Sequence, residues 1–358
     1  MVAKAWAGNT AMKSGAMDAA KIVGGSAKNP VDEFFVQNDA VSLCLLVHRR
    51  AKTMRVVDFR AGPSSAKQRF VMSFAAKEGV EKVYTLVERD EVSTWVKMGF
   101  AKEASIPGFY KRSDAFMLGS PVTAATMKPI PEPTPKQSEM RISLRRGMPL
   151  PPSLPLSIET IEDDEEDDAP ESTDTRAHDF AEKTLVRAKK RAKDLAAMSL
   201  PVARILPIKE SDTKKPLAAA LKSGRAMTAF EPFGRDVERR YFSVTARGNF
   251  ELVVSVESQA CFGNAFLELL AAPKNDAEAV ATASSVRALC DKLHKEGAVC
   301  AFSLVPSDDV ALASAFVFSG FRRTGLLLSH LVLGEGASAS VRKDAIMFSR
   351  KLANPTAE

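Results

Sequence analysis

Two segments more than two hundred residues apart share the pattern Arg-x-Asp-Ala-x-Met, and this internal repeat constrains the fold more than any other feature of the sequence. The copies lie at 112–117 and 342–347. A Gly-Phe pair precedes each copy, at 99–100 and 320–321, and before the pair come an amphipathic run and an apolar run that opens after a glycine. A repeat of this length indicates a duplicated domain rather than a short motif. We therefore interpret the chain as two copies of one folding unit.

The composition is that of a soluble protein with two or three domains. The chain has 358 residues, of which 45% are hydrophobic and 26% are charged, and its net charge is +6. The basic residues are scattered rather than arranged in a stripe, so we do not expect nucleic-acid binding. No apolar run is long enough for a secretory signal or a membrane span, so we expect no membrane partner and a cytoplasmic location.

Cysteine and histidine positions argue against a metal site and against disulfides. The four cysteines stand in apolar runs at spacings that match no metal-binding pattern, and the four histidines stand in separate elements. We expect buried, reduced thiols of a cytosolic protein and no metal. The cysteines are Cys44, Cys261, Cys290 and Cys300.

Composition shifts along the chain predict five regions. A segment rich in Ala, Gly, Ser and Lys is expected to be flexible, and a segment with ten of the 20 prolines and an acidic run at 162–168 is expected to be a disordered linker. A basic helix at 179–198 follows, which we interpret as a solvated surface helix rather than a nucleic-acid or membrane device. The regions are 1–29 (flexible), 30–120 (first unit), 121–175 (linker), 176–234 (basic helix and loose connector) and 235–354 (second unit).

Hydrophobic periodicity gives both units the same order of elements. Three strands are followed by a helix, a strand, a shorter helix and closing strand structure. In the first unit the main helix is predicted over 66–77, with Ser64 or Ser65 as its cap. This order predicts an α/β fold of the α+β type, with a mixed sheet in which the main helix crosses between neighbouring parallel strands. We expect the units to pack on each other as a pseudo-dimer that covers their edge strands.

This order of elements resembles the acyl-CoA-binding core of the GNAT N-acetyltransferase superfamily. The segment 81–117 in particular is similar to the amino-terminal region of bacterial beta-lysine N-acetyltransferases, on the residues Val-Tyr-Thr-Leu-Val at 83–87, Met-Gly-Phe at 98–100 and Ser-Asp-Ala-Phe at 113–116. The second unit resembles only the general GNAT pattern. The resemblance implies acetyl-CoA as a cofactor and a small amine or amino acid as the acyl acceptor.

Two functional elements follow from the resemblance. One is a Gln/Arg-x-x-Gly-x-Gly/Ala turn between the central strand and its helix, whose amide groups hold the pyrophosphate of CoA. In the first unit this turn would use Arg60, Gly62, Ser64, Ser65 and Ala66. The other is a general acid for the departing thiolate, commonly a tyrosine four residues before the Gly-Phe pair.

The sequence departs from both elements. In the first turn Pro63 replaces a glycine, which removes an amide donor. The second turn, at 271–276, has no glycine and is followed by acidic residues, which disfavour an anion. The position of the acid is occupied by Trp95 and Phe316, neither of which can protonate a thiolate.

Two hypotheses therefore stay open. The chain is an acetyl-CoA-dependent N-acyltransferase, or it is a non-catalytic GNAT-like module that binds a metabolite or a protein partner. No catalytic residue is assigned. Substitute proton donors that the first hypothesis could use are Tyr84, Tyr110, Ser303 and His330. For the repeated aspartates, Asp114 and Asp344, we favour a structural role at the start of a strand over an active-site pair.

Overall fold

The structure is a computed structural model that describes residues 31–37, 41–60, 62–127, 175–235, 237–246, 250–259, 261–333 and 341–353, and the backbone of 21–24. In this part of the chain fourteen strands form one mixed sheet, and helices cover parts of its surface, so the fold is of the mixed α+β class. Most of the predicted linker lies outside the described residues.

The bounds of the elements are as follows. The strands are β1 (Lys21–Gly24), β2 (Val31–Gln37), β3 (Ser42–His48), β4 (Thr53–Asp58), β5 (Lys82–Val87), β6 (Ala101–Ile106), β7 (Ala115–Pro121), β8 (Arg204–Ile208), β9 (Glu238–Ala246), β10 (Phe250–Gln259), β11 (Asn264–Leu269), β12 (Cys300–Pro306), β13 (Arg322–Leu333) and β14 (Val341–Lys351). The helices are α1 (Ser65–Lys77), α2 (Arg89–Lys97), α3 (Thr175–Ala197), α4 (Glu210–Lys222), α5 (Asp276–Lys295) and α6 (Val310–Phe318).

The first half (β1 to β7) and the second half (β8 to β14) have the same strand order. The sheet runs β1-β2-β3-β4-β5-β7-β6-β13-β14-β12-β11-β10-β9-β8, so each half reads the same way from its outer edge to the centre. In each half one neighbouring pair is parallel, β4 with β5 and β11 with β12. A parallel pair needs a crossover connection, and α1 and α5 supply it.

The halves join where β6 and β13 run antiparallel, with Gly325 opposite Ala104. Four cations reach across to carbonyl oxygens of the other half: Arg50 to Val332 (2.8 Å), Arg55 to Phe233 (2.7 Å), Lys82 to Leu328 (2.7 Å) and Arg342 to Ala51. Charge-assisted hydrogen bonds of this kind fix geometry more strongly than neutral ones. The relative position of the halves is therefore specified by polar contacts as well as by the sheet.

The repeated aspartates accept hydrogen bonds from equivalent backbone positions in the two halves. The amide of Gly108 donates to Asp114 Oδ1 at 2.8 Å, and the amide of Ser329 donates to Asp344 Oδ1 at 2.7 Å. Gly108 and Ser329 both have a positive φ, 71° and 47°. Gly108 lies before β7, and Ser329 lies at an irregularity within β13, so each aspartate holds a residue of positive φ. Asp114 stands at the start of a strand, as predicted from the sequence, whereas Asp344 lies inside β14.

Side-chain alternation along the strands gives each half two buried faces. One face packs on helices: α1 and α2 in the first half, and α3, α5 and α6 in the second. The other faces of the two halves pack on each other in a shared core that includes Tyr84, Met117, Phe302 and Met347. In β11 this alternation turns Ala265, Leu267 and Leu269 to the helices and leaves Glu268 on the face toward the first half.

Regular structure extends beyond the sequence prediction in two places. The backbone of Lys21–Gly24, in a segment expected to be flexible, pairs with β2. The stretch 201–234, expected to be loose, contains β8 and α4. The strands β1 and β8 lie at the two edges of the sheet. Their hydrogen bonds come from pairing with a neighbouring strand, which the local sequence pattern does not indicate.

The cysteine prediction is wrong at one position. Cys44, Cys290 and Cys300 are buried, as expected, whereas Cys261 is exposed. Cys261 lies in the turn between β10 and β11, where a strand-like apolar run gives way to a loop. Burial raises the pKa of each of the three buried thiols to about 12, so they are poor nucleophiles.

Candidate functional site

The turn between β4 and α1 is built around a buried ammonium group that the sequence reasoning missed. Lys67, in the first turn of α1, is 1% exposed. Its Nζ lies 2.5 Å from Asp58 Oδ2, 2.7 Å from the carbonyl of Arg60 and 3.0 Å from the carbonyl of Gly62. The turn therefore directs these two carbonyls inward. An aspartate at the end of a strand and a lysine in the first turn of the next helix were the available signal.

The five residues predicted for the cofactor site fall around the start of α1. Ser64 is the N-cap, and its hydroxyl accepts from the amide of Lys67 at 3.3 Å. Ser65 and Ala66 begin the helix, and Arg60 is exposed beside it, with its amide donating to Asp58 at 3.0 Å. The first turn of α1 contains no acidic residue, so the positive end of the helix dipole is not neutralised by the helix itself.

Gly62 also shapes the turn around the ammonium group of Lys67. Its φ is 110°, a region that favours glycine, and its carbonyl accepts from Lys67. The residue after it is Pro63, which has no amide proton. The peptide between them thus offers no donor to an anion. Any anion at this turn has to rely on the start of α1 and on the side chain of Arg60.

The equivalent turn in the second half is occupied by a carboxylate of the protein. Glu278 accepts from the amide of Lys274 at 2.8 Å and lies 3.3 Å from the guanidinium of Arg225. Arg225 also donates to the carbonyl of Ala272 at 2.6 Å. The N-cap Asn275 in turn accepts from the amide of Glu278 at 2.9 Å. A phosphate would meet this carboxylate, so the second turn does not fit an anionic ligand.

A chain segment also enters the gap between β11 and β12. These strands pair only as far as Phe266 and Phe302, and then diverge. Beyond that point the amide of Met227 donates to the carbonyl of Leu270 at 2.9 Å, and Ala226 bridges to Ala271. The connector that precedes β9 therefore lies along the residues that follow β11 at this opening.

Trp95 and Phe316, at the positions of the expected acid, are core residues. They are 1% and 0% exposed. Trp95 meets the ring of Phe100 edge-on at 4.8 Å, and Phe316 meets Phe321 in the same way at 5.0 Å. These matching aromatic pairs fill the space between the short helix and the sheet in each half. Neither can transfer a proton.

The first half has a cluster of carboxylates where β4 and β5 separate. The two strands pair as far as Val56. Beyond this point lie Asp58, at the end of β4, and Glu88, which follows β5 and accepts from the hydroxyl of Ser113 at 3.2 Å. Burial raises the pKa of Glu91 above its ordinary value, and the charge of Asp58 raises it further. Glu91 is thus a carboxylate with increased basicity beside the predicted turn.

Of the four proposed substitute proton donors, the structure brings two together. The rings of Tyr84 and His330, from different halves, meet edge-on with centroids 5.0 Å apart. Ser303 donates to the carbonyl of Leu267 at 2.7 Å inside the second half, which is a structural contact. Tyr110 packs against Phe262, and burial raises the pKa of its phenol to about 12.

Tyr84 and His330 line a cavity between the halves that the sequence did not predict. Its volume is about 80 Å³, and its wall also includes His48, Glu231 and Glu268. Burial raises the pKa of Glu268 to about 7, although its carboxylate accepts hydrogen bonds from the hydroxyls of Thr228 (2.7 Å) and Ser255 (2.9 Å). No local sequence signal marks Glu268, because Thr228, Ser255 and Arg239, which act on its carboxylate, lie far from it along the chain.

Within the described ranges, no three His, Cys, Asp or Glu side chains converge on a position that could hold a metal ion. The helices that the structure describes include none with both the length and the apolar character needed to span a bilayer.

Solved structures similar to this chain include N-acetyltransferases. The ribosomal-protein-S18-alanine N-acetyltransferase from Escherichia coli matches with 19% identity over 42% of this chain and 95% of that chain, with a TM-score of 0.31. The spermidine N-acetyltransferase from Vibrio cholerae, solved in complex with CoA and spermine, matches with 11% identity over 42% of this chain and 95% of that chain, with a TM-score of 0.34. No protein-family model matches the sequence, and no curated protein does.

Proposed function

We propose that the protein consists of two GNAT-like units derived by duplication, and that it is an acetyl-CoA-dependent N-acyltransferase acting on a small amine or amino acid. The repeated strand order, with one parallel pair followed by a helix in each half, supports the two-unit interpretation. The proposed units are those predicted, 30–120 and 235–354, with β1 (Lys21–Gly24) and β8 (Arg204–Ile208) added at their outer edges. The buried thiols support a reducing, cytoplasmic setting.

One observation supports an acyl donor site in the first half alone. Of the two equivalent turns, the second has Glu278 bound over its amides, whereas α1 has no acidic residue in its first turn. The negative charge of Asp58 at the first turn is matched by Lys67. A pyrophosphate therefore meets a carboxylate at the second turn but finds a helix N-terminus and Arg60 at the first.

The residues of the first half can supply most of the chemistry of acyl transfer. Acetyl-CoA provides an acyl group activated as a thioester. An amine acceptor is protonated at neutral pH and has to lose that proton before its nitrogen can attack. Glu91 is the proposed acceptor of this proton, because its basicity is raised. With Trp95 at the usual position of the acid, the proton for the departing sulfur comes from water.

Binding of the donor is tested by thermal unfolding of the full chain with acetyl-CoA. At a hundredfold excess over its dissociation constant, a ligand adds about 2.7 kcal/mol to the free energy of unfolding. Arg60→Ala should weaken binding, and Pro63→Gly should strengthen it by restoring an amide. Glu278→Gln, at the second turn, is the matched control and should leave the affinity unchanged. Absence of any shift at millimolar acetyl-CoA would overturn the proposal.

The second candidate function is a non-catalytic module that binds a metabolite or a protein partner. The two buried aromatic residues at the acid positions favour it. The candidates are separated by measuring thiol release with a panel of small amines and amino acids. An N-acyltransferase releases free CoA in an amine-dependent manner and loses this activity in Glu91→Gln. A binding module shows the stability shift without thiol release.

A further inference from the structure

The wall of the cavity between the halves includes two histidines, each with a buried ring nitrogen that has no partner in the protein. His48 is 5% exposed and His330 is 8% exposed. His48 Nε2 and His330 Nδ1 are both buried without a hydrogen bond. His48 Nδ1 faces Glu231, with 3.7 Å between Nδ1 and Oε2. A buried polar atom without a partner costs about 1–3 kcal/mol, so the fold gains nothing from these nitrogens by themselves.

The equivalent positions of the first half show that the fold does not need this chemistry. In the parallel pairs, Arg55 and Tyr84 correspond to Phe266 and Phe302, because β5 and β12 begin three residues after equivalent glycines. Two residues further along the strands, Glu268 therefore corresponds to Val57. Likewise His330 follows Ser329 as Phe109 follows Gly108. The first half has a valine and a phenylalanine where the second has a carboxylate and an imidazole.

The wall of the cavity is suited to a cation. Glu231 and Glu268 provide two carboxylates, and the aromatic rings of Tyr84, Phe233 and Phe266 also line it. Aromatic faces attract cations, and desolvation strengthens this attraction. The one guanidinium in the wall is that of Arg50, which donates to the carbonyl of Val332. With both glutamates ionised, the wall carries one negative charge in excess.

The imidazoles complete a set of acceptors. Burial lowers the pKa of His330 well below its ordinary value, and the neighbouring charge of Lys82 lowers it further. His330 is therefore neutral at pH 7 and can present Nδ1 as an acceptor. An ammonium group has three donors and no acceptor, which matches a pocket of carboxylate and imidazole acceptors.

We propose that this cavity is a binding site for the ammonium group of a small primary amine, held by Glu231, Glu268 and the unpartnered nitrogens of His48 and His330. A volume of about 80 Å³ admits such a group with one or two carbons, since a water occupies about 30 Å³ of liquid. The cavity includes Thr53, at the opposite end of β4 from the acyl donor turn. The site is thus distinct from that turn, and it does not depend on acyl transfer.

Binding should be linked to the release of a proton. Glu268 is half protonated near pH 7 in the empty site, and the ammonium group requires it to be ionised. The affinity should therefore rise about tenfold between pH 6 and pH 8, as Glu268 becomes ionised. Other charged groups also affect the protonation of Glu268 and His330. Their effect is present in the wild-type protein with which each variant is compared. Around Glu268 they are Arg239 and Glu257, and around His330 they are Lys82, His48 and Arg342.

The test uses methylammonium chloride and the full-length protein labelled with ¹⁵N-histidine. Titration should shift the imidazole signals of His48 and His330, which are assigned with the variants His48→Gln and His330→Phe. Glu268→Gln keeps the shape of the side chain and should weaken binding at least tenfold. Glu238→Gln removes an exposed carboxylate, 67% exposed, and should bind as the wild type does.

Potassium chloride at the same concentrations is the parallel titration. Potassium is a monovalent cation without hydrogen-bond donors, so it should leave the imidazole signals unchanged. Three outcomes would overturn the proposal. They are the absence of any imidazole shift with methylammonium at tens of millimolar, equal shifts with potassium, and an unchanged affinity for methylammonium in Glu268→Gln. His330→Phe introduces the residue of the equivalent position, so it should fold and yet lose the site.

Discussion

Replacing Lys67 with methionine should destabilise the first half strongly. The side chains of Lys67 and Asp58 are 2% and 6% exposed, so the substitution leaves Asp58 as a buried carboxylate without its counter-ion. Breaking a buried ion pair in this way costs about 3–5 kcal/mol. The carbonyls of Arg60 and Gly62 lose their common donor as well, so the turn should loosen.

Urea unfolding followed by the fluorescence of Trp95, in a Trp6→Phe background, measures this loss, since Trp95 in α2 is buried in the core of the first half. The double variant Asp58→Asn with Lys67→Met removes both charges, and it should recover about 1–3 kcal/mol of the loss. Acetyl-CoA titration of the same variants reports on the turn, and Lys67→Met should bind at least tenfold more weakly than the wild type.

The matched control is Lys52→Met. Lys52 also forms an ion pair, with Glu81 at 2.7 Å, but their side chains are 58% and 49% exposed. An exposed pair contributes about 0–1 kcal/mol, so this variant should be close to the wild type. If Lys67→Met loses no more stability than Lys52→Met, the buried ammonium does not organise the turn and the reasoning is refuted.

Two further predictions concern the contact between the halves. Glu268 has a pKa of about 7 in the folded protein against an ordinary value of 4.5, so the wild type loses stability as the pH rises between these values. In urea unfolding, the stability of Glu268→Gln relative to the wild type should therefore increase by about 3 kcal/mol between pH 4.5 and pH 8. A constant difference across this range would contradict the burial argument. Gly325→Val should lower the free energy of unfolding by about 1–3 kcal/mol and speed hydrogen exchange in β6 and β13, because a side chain at this position overlaps the backbone of Ala104. Hydrogen exchange at the wild-type rate in this variant would disprove the close approach of the two strands.

Features that depend on local sequence were predictable. The helix predicted over 66–77 is α1, with Ser64 as its cap. The capping serine and the apolar spacing act within a few residues, so the sequence contains the whole signal. The turn role of Asp114 was predictable for the same reason, whereas Asp344 binds Ser329 on the neighbouring strand.

Features that depend on tertiary contacts were not. Lys67 reads as a polar helix residue, and its burial arises only because the preceding turn folds over it. Glu268 reads as the polar position of an alternating strand, which ordinarily faces water. Here that face packs on the other half, so the carboxylate is buried. The strand β8 was missed because its hydrogen bonds come from β9.

Because β6 and β13 join the two halves within one polypeptide, substitutions can accumulate in each half independently during evolution. A protein that assembles from two identical subunits receives every substitution twice, on both sides of its axis. In a single polypeptide with the same arrangement of strands, a substitution falls on one side only. Such a chain can have Phe109 in one half and His330 at the equivalent position of the other half. A symmetric dimer of identical subunits cannot have two different residues at these positions.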